Sequence, residues 1–251
     1  AFVCFKCMQG EGLSPDAVTF TCILNVCSSI VAIGIAEEIH KEISSRGLLE
    51  KDVLLGNALV DMYVKCGMLS KAQKVHDEHF SRNVVTWNTL IAGCVEQEDG
   101  EQAIKCFENM HLLGVYPNAV TYIHCLKACI SIYNADKGQE IHIEIEKKGF
   151  IERDFQLCSS LIDMYAKYGA LAEAQKMFDR LPVRNVILWT SLIAGYFEHS
   201  CGKESLNCYE HMQIEGVSPS VVTFISILKA CASIGSMHEI QEIHADIVKE
   251  G

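Results

Sequence analysis

Three histidines are each followed two positions later by an acidic residue, a spacing that zinc-dependent deaminases use for catalysis. The three pairs are His40 with Glu42, His142 with Glu144, and His244 with Asp246. The deaminase signature also needs a downstream Pro-Cys-x-x-Cys to complete the zinc site, and this sequence has none. The histidines lie 102 residues apart, at one position of a repeat. We therefore interpret them as packing or surface residues of a helix.

The 13 cysteines raise the alternatives of metal ligands or disulfides. Cys4 and Cys7 form a CxxC, a spacing found in zinc and redox sites. Six cysteines, however, recur at the 102-residue step, as small buried residues of a repeat do: Cys27, Cys129 and Cys231 at one position, and Cys4, Cys106 and Cys208 at another. The odd total favours free thiols. We predict core cysteines and no metal site.

Other chemistry is excluded by composition and by missing motifs. No nucleophile triad, phosphate-binding loop or glycine-rich dinucleotide turn occurs, so we predict no enzyme, no cofactor and no small-molecule substrate. The net charge of −11 argues against indiscriminate binding to phosphate backbones, and we expect no DNA binding. No run of about 18 apolar residues is free of charge, so no membrane span is expected.

The elements that position the remaining polar residues follow from a long internal repeat. The segment 83–118 recurs at 185–220. A helix is predicted from just after Asn83 to about Gln97, then a turn at 98–100 and a second helix over 101–112. Gly114 and Pro117 are expected to end that second helix. A fixed long period of helical hairpins indicates stacked repeats.

The first helix of this hairpin has two faces of different composition. At 100° per residue, one face is apolar and is expected to be core: Trp87, Leu90, Ile91 and Cys94. The opposite face is mixed: Val85, Asn88, Ala92 and Glu96. Stacking would bring this second face of each repeat to one side of a superhelix.

The fold class that we predict is all-α, a right-handed α-solenoid of stacked helix-turn-helix repeats. A single domain, 1–251, is expected. The predicted repeats are 1–16 (partial), 17–52, 53–83, 84–118, 119–154, 155–185, 186–220 and 221–251 (partial). The chain opens and closes inside predicted helices, so we interpret it as a piece of a longer protein.

Several segments resemble the pentatricopeptide repeat family of land plants. They are NALVDMYVKCGMLSKAQKVHDEHFSRNVVTWNTLIAGC, AVTYIHCLKACISI, KGQEIHIEIEKKGF and GVSPSVVTFISILKACASI. The alternation of repeats of 35, 36 and 31 residues is similar to the PLS subfamily. The resemblance extends over all 251 residues.

This resemblance implies binding of single-stranded RNA, with one base per repeat. In that family the fifth and last residues of a repeat contact the base edge. The corresponding pairs are Asn57 with Asn83, Asn88 with Asn118, Ser159 with Asn185, and Thr190 with Ser220. An aliphatic second residue sandwiches the base; these are Leu54, Val85 and Ile187, whereas Gln156 departs from the pattern. Short amides and hydroxyls suit a Watson–Crick edge, which supports the assignment.

The family's pairing rules imply an RNA footprint. Asn with Asn corresponds to a pyrimidine, preferably cytosine, and Ser with Asn to adenine; for Thr190 with Ser220 we expect adenine. Ile123 and Ile225 hold the fifth position in long repeats, and an isoleucine cannot hydrogen-bond a base. The predicted footprint is pyrimidine, pyrimidine, any base, adenine, adenine, running 5′ to 3′ with the chain.

Simpler roles remain open for some of these residues. N-capping alone would explain the types of Asn83, Asn118, Asn185 and Ser220, since each precedes a predicted helix. Lys65 and Lys167 are positioned either to meet a phosphate or to remain solvated. In other repeats the equivalent position holds Glu96 or Glu198, and a glutamate there would repel a phosphate.

The functional prediction is site recognition on a transcript of the mitochondrion or the chloroplast. RNA modification by C-to-U editing is the expected process, with the catalytic part outside this chain and a deaminase-bearing editing factor as a candidate partner. The alternative is a protein-binding α-solenoid scaffold, which the acidic charge favours.

Overall fold

The computed structural model describes residues 1–78, 83–151 and 153–250, and these residues form fifteen α-helices and no strand. The helices are α1 Phe2–Gly10, α2 Ala17–Ile30, α3 Ile33–Ser45, α4 Val53–Lys65, α5 Leu69–Glu78, α6 Val84–Glu96, α7 Gly100–Leu112, α8 Ala119–Ser131, α9 Ala135–Lys147, α10 Phe155–Lys167, α11 Leu171–Asp179, α12 Val186–Glu198, α13 Gly202–Ile214, α14 Val221–Ile234 and α15 Met237–Glu250. None of the helices in the described chain combines the length and the apolar character of a bilayer-crossing segment.

The helices pack as hairpins within two compact parts, an N-terminal part Ala1–Ala128 and a C-terminal part Cys129–Gly251. In the N-terminal part, α4 pairs with α5 and α6 with α7, while the first helices α2, α4 and α6 pack in succession. In the C-terminal part, α10 pairs with α11 and α12 with α13, and α10, α12 and α14 pack in succession. First helices therefore line up beside one another within each part.

A side chain at the end of each predicted repeat caps the first helix of the next one. Each of these side chains accepts a backbone hydrogen bond from the first turn: Asp16, Asp52, Asn83, Asn118, Asp154, Asn185 and Ser220. Such a cap stabilises a helix by about 1 kcal/mol. The capping role predicted for Asn83, Asn118, Asn185 and Ser220 is confirmed.

The α6–α7 hairpin agrees with its predicted bounds to within one residue. Helix α6 ends at Glu96, and α7 begins at Gly100, one position earlier than predicted. The earlier start has a physical cause, because the Asp99 side chain accepts from the backbone N–H of Gln102 at 3.0 Å and so caps the helix. Gly114 ends the hairpin with a left-handed φ of 72°, as expected.

The apolar face predicted for α6 is the core face. Trp87, Leu90, Ile91 and Cys94 are each at most 2% exposed. The equivalent Trp189 in α12 is also buried. Both tryptophans are therefore core residues rather than stacking surfaces for a ligand.

The cysteines are free thiols, and most of the recurring ones are buried as predicted. Burial raises the pKa of Cys129 and Cys208 to about 12 each, which keeps them protonated and unreactive. Cys4 is an exception, because it is exposed. Its counterpart Cys106 is covered by helix α5 of the preceding hairpin, where Oε1 of Gln73 lies 3.7 Å from its Sγ. In the described chain no helix precedes α1 to cover Cys4 in the same way.

Two of the His-x-acid histidines tie second helices to the following first helix. Nδ1 of His40 in α3 lies 2.8 Å from the hydroxyl of Tyr63 in α4. Nδ1 of His142 in α9 lies 2.6 Å from the hydroxyl of Tyr165 in α10. Burial raises the pKa of Tyr63 to about 12, so it stays a neutral partner. These contacts explain the recurrence of histidine at this position as packing; His244 is exposed.

Val31 has a left-handed backbone conformation, which is unfavourable for a β-branched residue. It ends α2 with φ 53° and ψ 43°, and its repeat equivalent Gly235 ends α14 with φ 71°. A β-branched residue in the left-handed region costs about 1–2 kcal/mol, and Val31 is exposed, so little packing is lost on its removal. Val31→Gly is expected to raise the free energy of unfolding in urea by about 1 kcal/mol, after allowing for the greater unfolded-state entropy of glycine.

The reverse change at Gly235 is the matched control. A Cβ added there meets nothing within 4 Å, so a substitution tests the backbone alone. Gly235→Val should lower the free energy of unfolding by about 1–2 kcal/mol. If both variants unfold at the wild-type urea concentration, the left-handed strain is absent.

Candidate nucleic-acid interface

A groove of about 450 Å³ runs along α4, α6 and α8 in the N-terminal part. Among the residues that line it are four of the predicted RNA-binding residues: Lys65, Val85, Asn88 and Asn118. The whole mixed face predicted for α6 lines the same groove: Val85, Asn88, Ala92 and Glu96. The mixed face that the helical periodicity of α6 predicts is therefore one wall of a groove.

The amides of Asn88 and Asn118 are hydrogen-bonded to each other inside this groove. Nδ2 of Asn88 donates to Oδ1 of Asn118 at 3.1 Å, although the two residues are 30 positions apart. Oδ1 of Asn118 also caps α8 by accepting from the backbone N–H of Thr121 at 3.1 Å. Capping therefore uses the carbonyl oxygen of Asn118 and leaves its Nδ2 group available.

Asn57 and Asn83 form a second pair in the N-terminal part, with the opposite polarity. Here Nδ2 of the last residue, Asn83, donates to Oδ1 of the fifth residue, Asn57, at 3.3 Å. The Asn83 oxygen is engaged as a cap, accepting from the backbone of Val85 and Thr86. The predicted sandwiching residues of these two repeats project to solvent, with Leu54 73% and Val85 55% exposed.

In the C-terminal part, Thr190 and Ser220 are joined through a third hydroxyl. Oγ1 of Thr223 lies 2.7 Å from Oγ1 of Thr190 and 2.9 Å from Oγ of Ser220. The predicted sandwiching residue of this repeat, Ile187, is 59% exposed. The fifth and last residues are again brought together, beside an exposed aliphatic side chain.

Ser159 and Asn185 are arranged differently from the other three pairs. Ser159 is only 9% exposed, because the packing of α12 against α10 covers it, and its Oγ lies 3.4 Å from Oγ of Ser191. Asn185 is exposed and accepts from the backbone N–H of Leu188 at 3.0 Å. The open face expected for Ser159 is therefore not observed, and base contact by this pair stays a prediction.

The two predicted phosphate-binding lysines are already paired with carboxylates. Nζ of Lys65 lies 2.7 Å from Oδ2 of Asp61, one turn earlier on α4. Nζ of Lys167 lies 2.7 Å from both carboxylate oxygens of Glu198 on α12. Both lysines are exposed, so these contacts are weak, but they reduce the positive potential that either lysine offers a phosphate.

Two residues of the groove region were missed by the sequence reasoning. His124 lines the groove beside Glu96, and burial lowers its pKa, with Lys127 adding to the effect and Glu96 opposing it. Thr121 is fully buried and its Oγ1 lies 2.6 Å from Oδ1 of Asn88. The available signal was the recurrence of threonine at the third position of several repeats: Thr19, Thr86, Thr121 and Thr223.

Metal chemistry finds no support in the part of the chain that the structure describes. No three His, Cys, Asp or Glu side chains there converge on a point where an ion would be held. The residues brought together on the first helices are amides, hydroxyls and aliphatic groups, which suit recognition by hydrogen bonding and stacking.

Comparison with known proteins identifies the family. A model of the PPR repeat family matches residues 82–131 and 184–233, and a PPR repeat model matches 57–78 and 157–186, together more than half of the chain. The pentatricopeptide repeat-containing protein At2g33680 of Arabidopsis thaliana is 38% identical over 241 residues, which cover 96% of this chain and 33% of that protein. A mitochondrial relative from the same plant, At3g02330, is 36% identical over 92% of this chain and 28% of its own length. The chain thus spans about a third of these curated relatives.

Solved structures with the same fold include the pentatricopeptide repeat protein PPR10 in complex with an 18-nucleotide psaJ RNA element. That structure matches 100% of this chain and 38% of PPR10, with a TM-score of 0.79 and 21% sequence identity. A crystal structure of PPR10 from maize matches 98% of this chain and 41% of PPR10, with a TM-score of 0.60 and 20% sequence identity. The predicted fold class, an all-α solenoid of helical hairpins, is confirmed. The chain belongs to the pentatricopeptide repeat family.

Proposed function

We propose that this chain binds single-stranded RNA sequence-specifically, through the residues at the fifth and last positions of its repeats. The observation that carries the proposal is the Asn88–Asn118 pair. Both amides line one groove, they contact each other at 3.1 Å, and the exposed Val85 lies in the same groove. A polar edge beside an apolar flank is the combination that a splayed-out base requires.

The hydrogen-bond inventory of this pair favours a pyrimidine. Asn88 uses one amide hydrogen on Asn118 and keeps the other, and Nδ2 of Asn118 donates to no residue in the described chain. The pair therefore offers donors, and the Watson–Crick edge of cytosine carries two adjacent acceptors, O2 and N3. This agrees with the pyrimidine, preferably cytosine, that the family's pairing rules imply for Asn with Asn.

The comparisons support this proposal at the level of the family. PPR10 is described in complex with an RNA element, and several relatives are named mitochondrial or chloroplastic proteins. We accordingly propose an organellar transcript in a plant mitochondrion or chloroplast as the ligand. The eight predicted repeats, from 1–16 to 221–251, and the base-reading roles of Ser159 and Asn185 belong to the same proposal.

The finer assignment is to the PLS subfamily and to C-to-U editing. The alternation of 35-, 36- and 31-residue repeats supports the PLS assignment. In this proposal the chain selects the site, and the chemical conversion belongs to a catalytic part outside it or to a deaminase-bearing partner. An editing assay on the target transcript, with and without a deaminase-bearing partner, would separate this role from RNA binding alone.

The binding proposal is tested with short fluorescent RNAs. The chain should bind an RNA carrying pyrimidine, pyrimidine, any base, adenine, adenine at least about tenfold more tightly than an RNA with the same composition in permuted order, since the loss of two or more matched bases costs about 2 kcal/mol or more. Equal binding of both RNAs would reject base reading. Binding of basic peptides in place of RNA would instead favour the scaffold alternative, which the net charge of −11 supports.

RNA affinity should depend only weakly on salt, which is a separate prediction. The net charge is −11, and Lys65 and Lys167 each face a carboxylate at 2.7 Å. If about two phosphates are neutralised, affinity should fall less than about tenfold between about 50 and 200 mM salt. A fall of a thousandfold, measured by anisotropy across that range, would require a basic surface that these contacts do not provide.

A further inference from the structure

The hydroxyl of Thr121 touches both members of the Asn88–Asn118 pair. Its Oγ1 lies 2.6 Å from Oδ1 of Asn88 and 3.1 Å from Oδ1 of Asn118. We propose that Thr121, and its counterpart Thr223 one 102-residue step later, are positioning residues that set which hydrogen-bonding group the fifth residue presents to the base. This inference rests on the proposed RNA binding and adds a determinant to it.

Proton counting at Thr121 fixes the orientation of the Asn88 amide. The backbone N–H of Asn118 donates to Oγ1 of Thr121 at 3.1 Å, so that oxygen already accepts a hydrogen bond. The single hydroxyl proton then goes to its closest acceptor, Oδ1 of Asn88. With its oxygen held by Thr121, the Asn88 amide directs Nδ2 at Asn118, as observed at 3.1 Å. A flipped amide would place the Asn88 oxygen against Oδ1 of Asn118, where two acceptors face each other, and would leave no amide acceptor on Asn88 for the Thr121 hydroxyl.

The same connection recurs in the C-terminal part with different residue types. The backbone N–H of Ser220 donates to Oγ1 of Thr223 at 3.0 Å. The hydroxyl of Thr190 donates back to the carbonyl oxygen of Val186 at 2.7 Å, so the 2.7 Å contact between Thr190 and Thr223 requires the Thr223 hydroxyl to be the donor. Thr121 and Thr223 are both completely buried. Each therefore accepts from the last residue's backbone and donates to the fifth residue.

Thr86 provides a natural contrast within the chain. It holds the same position relative to the Asn57–Asn83 pair, but its hydroxyl donates to the backbone carbonyl of Asn83 at 2.9 Å. The Asn57 oxygen is then free to accept from Nδ2 of Asn83, and the pair has the reverse polarity. Two identical Asn–Asn pairs thus differ in hydrogen-bond direction according to where the third-position hydroxyl points.

The orientation set by Thr121 discriminates between the two pyrimidines. With the Asn88 amide in this orientation, the Asn88–Asn118 pair presents N–H groups to the base, and N3 of cytosine can accept a hydrogen bond from one of them. Uracil carries an N3–H at the same place, and two donors facing each other leave both unsatisfied. One lost hydrogen bond costs about 0.5–1.5 kcal/mol, which corresponds to a preference for cytosine of about two- to tenfold.

The test is the ratio of affinities for cytosine and uracil at the nucleotide assigned to Asn88 and Asn118. Thr121→Val keeps the volume of the side chain and removes the hydroxyl, and should lower that ratio by about threefold or more. Thr121→Ser restores the hydroxyl and should keep the ratio within about twofold of wild type. Any loss of folded protein lowers the apparent affinity for both RNAs by the same factor, which cancels in the ratio.

Thr86→Val is the matched control at the nucleotide assigned to Asn57 and Asn83. Because Thr86 does not contact the Asn57 amide, the cytosine-to-uracil ratio there should stay within about twofold of wild type. The inference is overturned if Thr121→Val leaves its own ratio unchanged, or if Thr86→Val changes its ratio as much. A wild-type chain that binds no RNA would instead remove the proposed function itself, so the two failures are distinct.

Discussion

Replacing Gly195 with alanine is expected to lower the free energy of unfolding by about 2 kcal/mol. A Cβ at Gly195 in α12 would lie 2.4 Å from Cβ of Ala166 in α10. No rotamer relieves this clash, because the opposing atom is attached directly to the backbone. The two first helices would have to separate, and their separation determines the spacing between Thr190 and the neighbouring residues of the C-terminal part.

Two further variants isolate that clash from the effect of alanine in a helix. Gly34 lies in α3, where an added Cβ meets nothing within 4 Å, so Gly34→Ala should stabilise the protein by about 0.5–1 kcal/mol. Ala166→Gly should recover much of the loss caused by Gly195→Ala, with a coupling of about 1–2 kcal/mol in the double-mutant cycle. Additive effects of the two changes would show that these helices do not meet at this point.

Recoding the Asn88–Asn118 pair should change base preference at one nucleotide. Asn88→Thr with Asn118→Asp replaces outward amide donors with a carboxylate that accepts, and guanine presents N1–H and N2–H donors on its Watson–Crick edge. Aspartate still caps α8. The ratio of affinities for guanine and cytosine should rise about tenfold or more, since a good two-point contact is worth about 1–3 kcal/mol.

The equivalent double change in the neighbouring repeat controls for position. Asn57→Thr with Asn83→Asp should leave that ratio unchanged and raise the guanine preference at the nucleotide on the 5′ side. The proposed assignment of repeats to bases would be wrong if both double variants affected the same nucleotide, or if either weakened all RNAs equally.

The sequence predicted the elements of this fold because each signal was local. Asn83 precedes a helix and caps it, Gly114 follows one with a left-handed φ, and the stripe containing Trp87 is buried. The face of α6 that lines the groove was predictable from the same helical periodicity, since Val85 and Asn88 lie on one side of a single helix. Periodicity within one element was sufficient for all of these features.

Features that depend on the contact between two helices were not predictable in this way. Ser159 is covered because α12 packs over its side of α10, and the wheel of α10 alone contains no information on that neighbour. Lys167 pairs with Glu198 across the same two helices. The reach of Thr121 to Asn88 likewise depends on how closely α6 and α8 approach. Each requires a distance between elements, which composition and spacing do not specify.

The most direct measurement is selection of bound sequences from a pool of short RNAs randomised at every position, followed by sequencing. The wild-type chain should enrich pyrimidine, pyrimidine, any base, adenine, adenine in the 5′ to 3′ direction, and the Asn88→Thr, Asn118→Asp variant should change the second position alone to guanine. Recovery of RNAs without positional enrichment, or an enriched sequence that the recoded variant leaves unchanged, would contradict base reading by these residues.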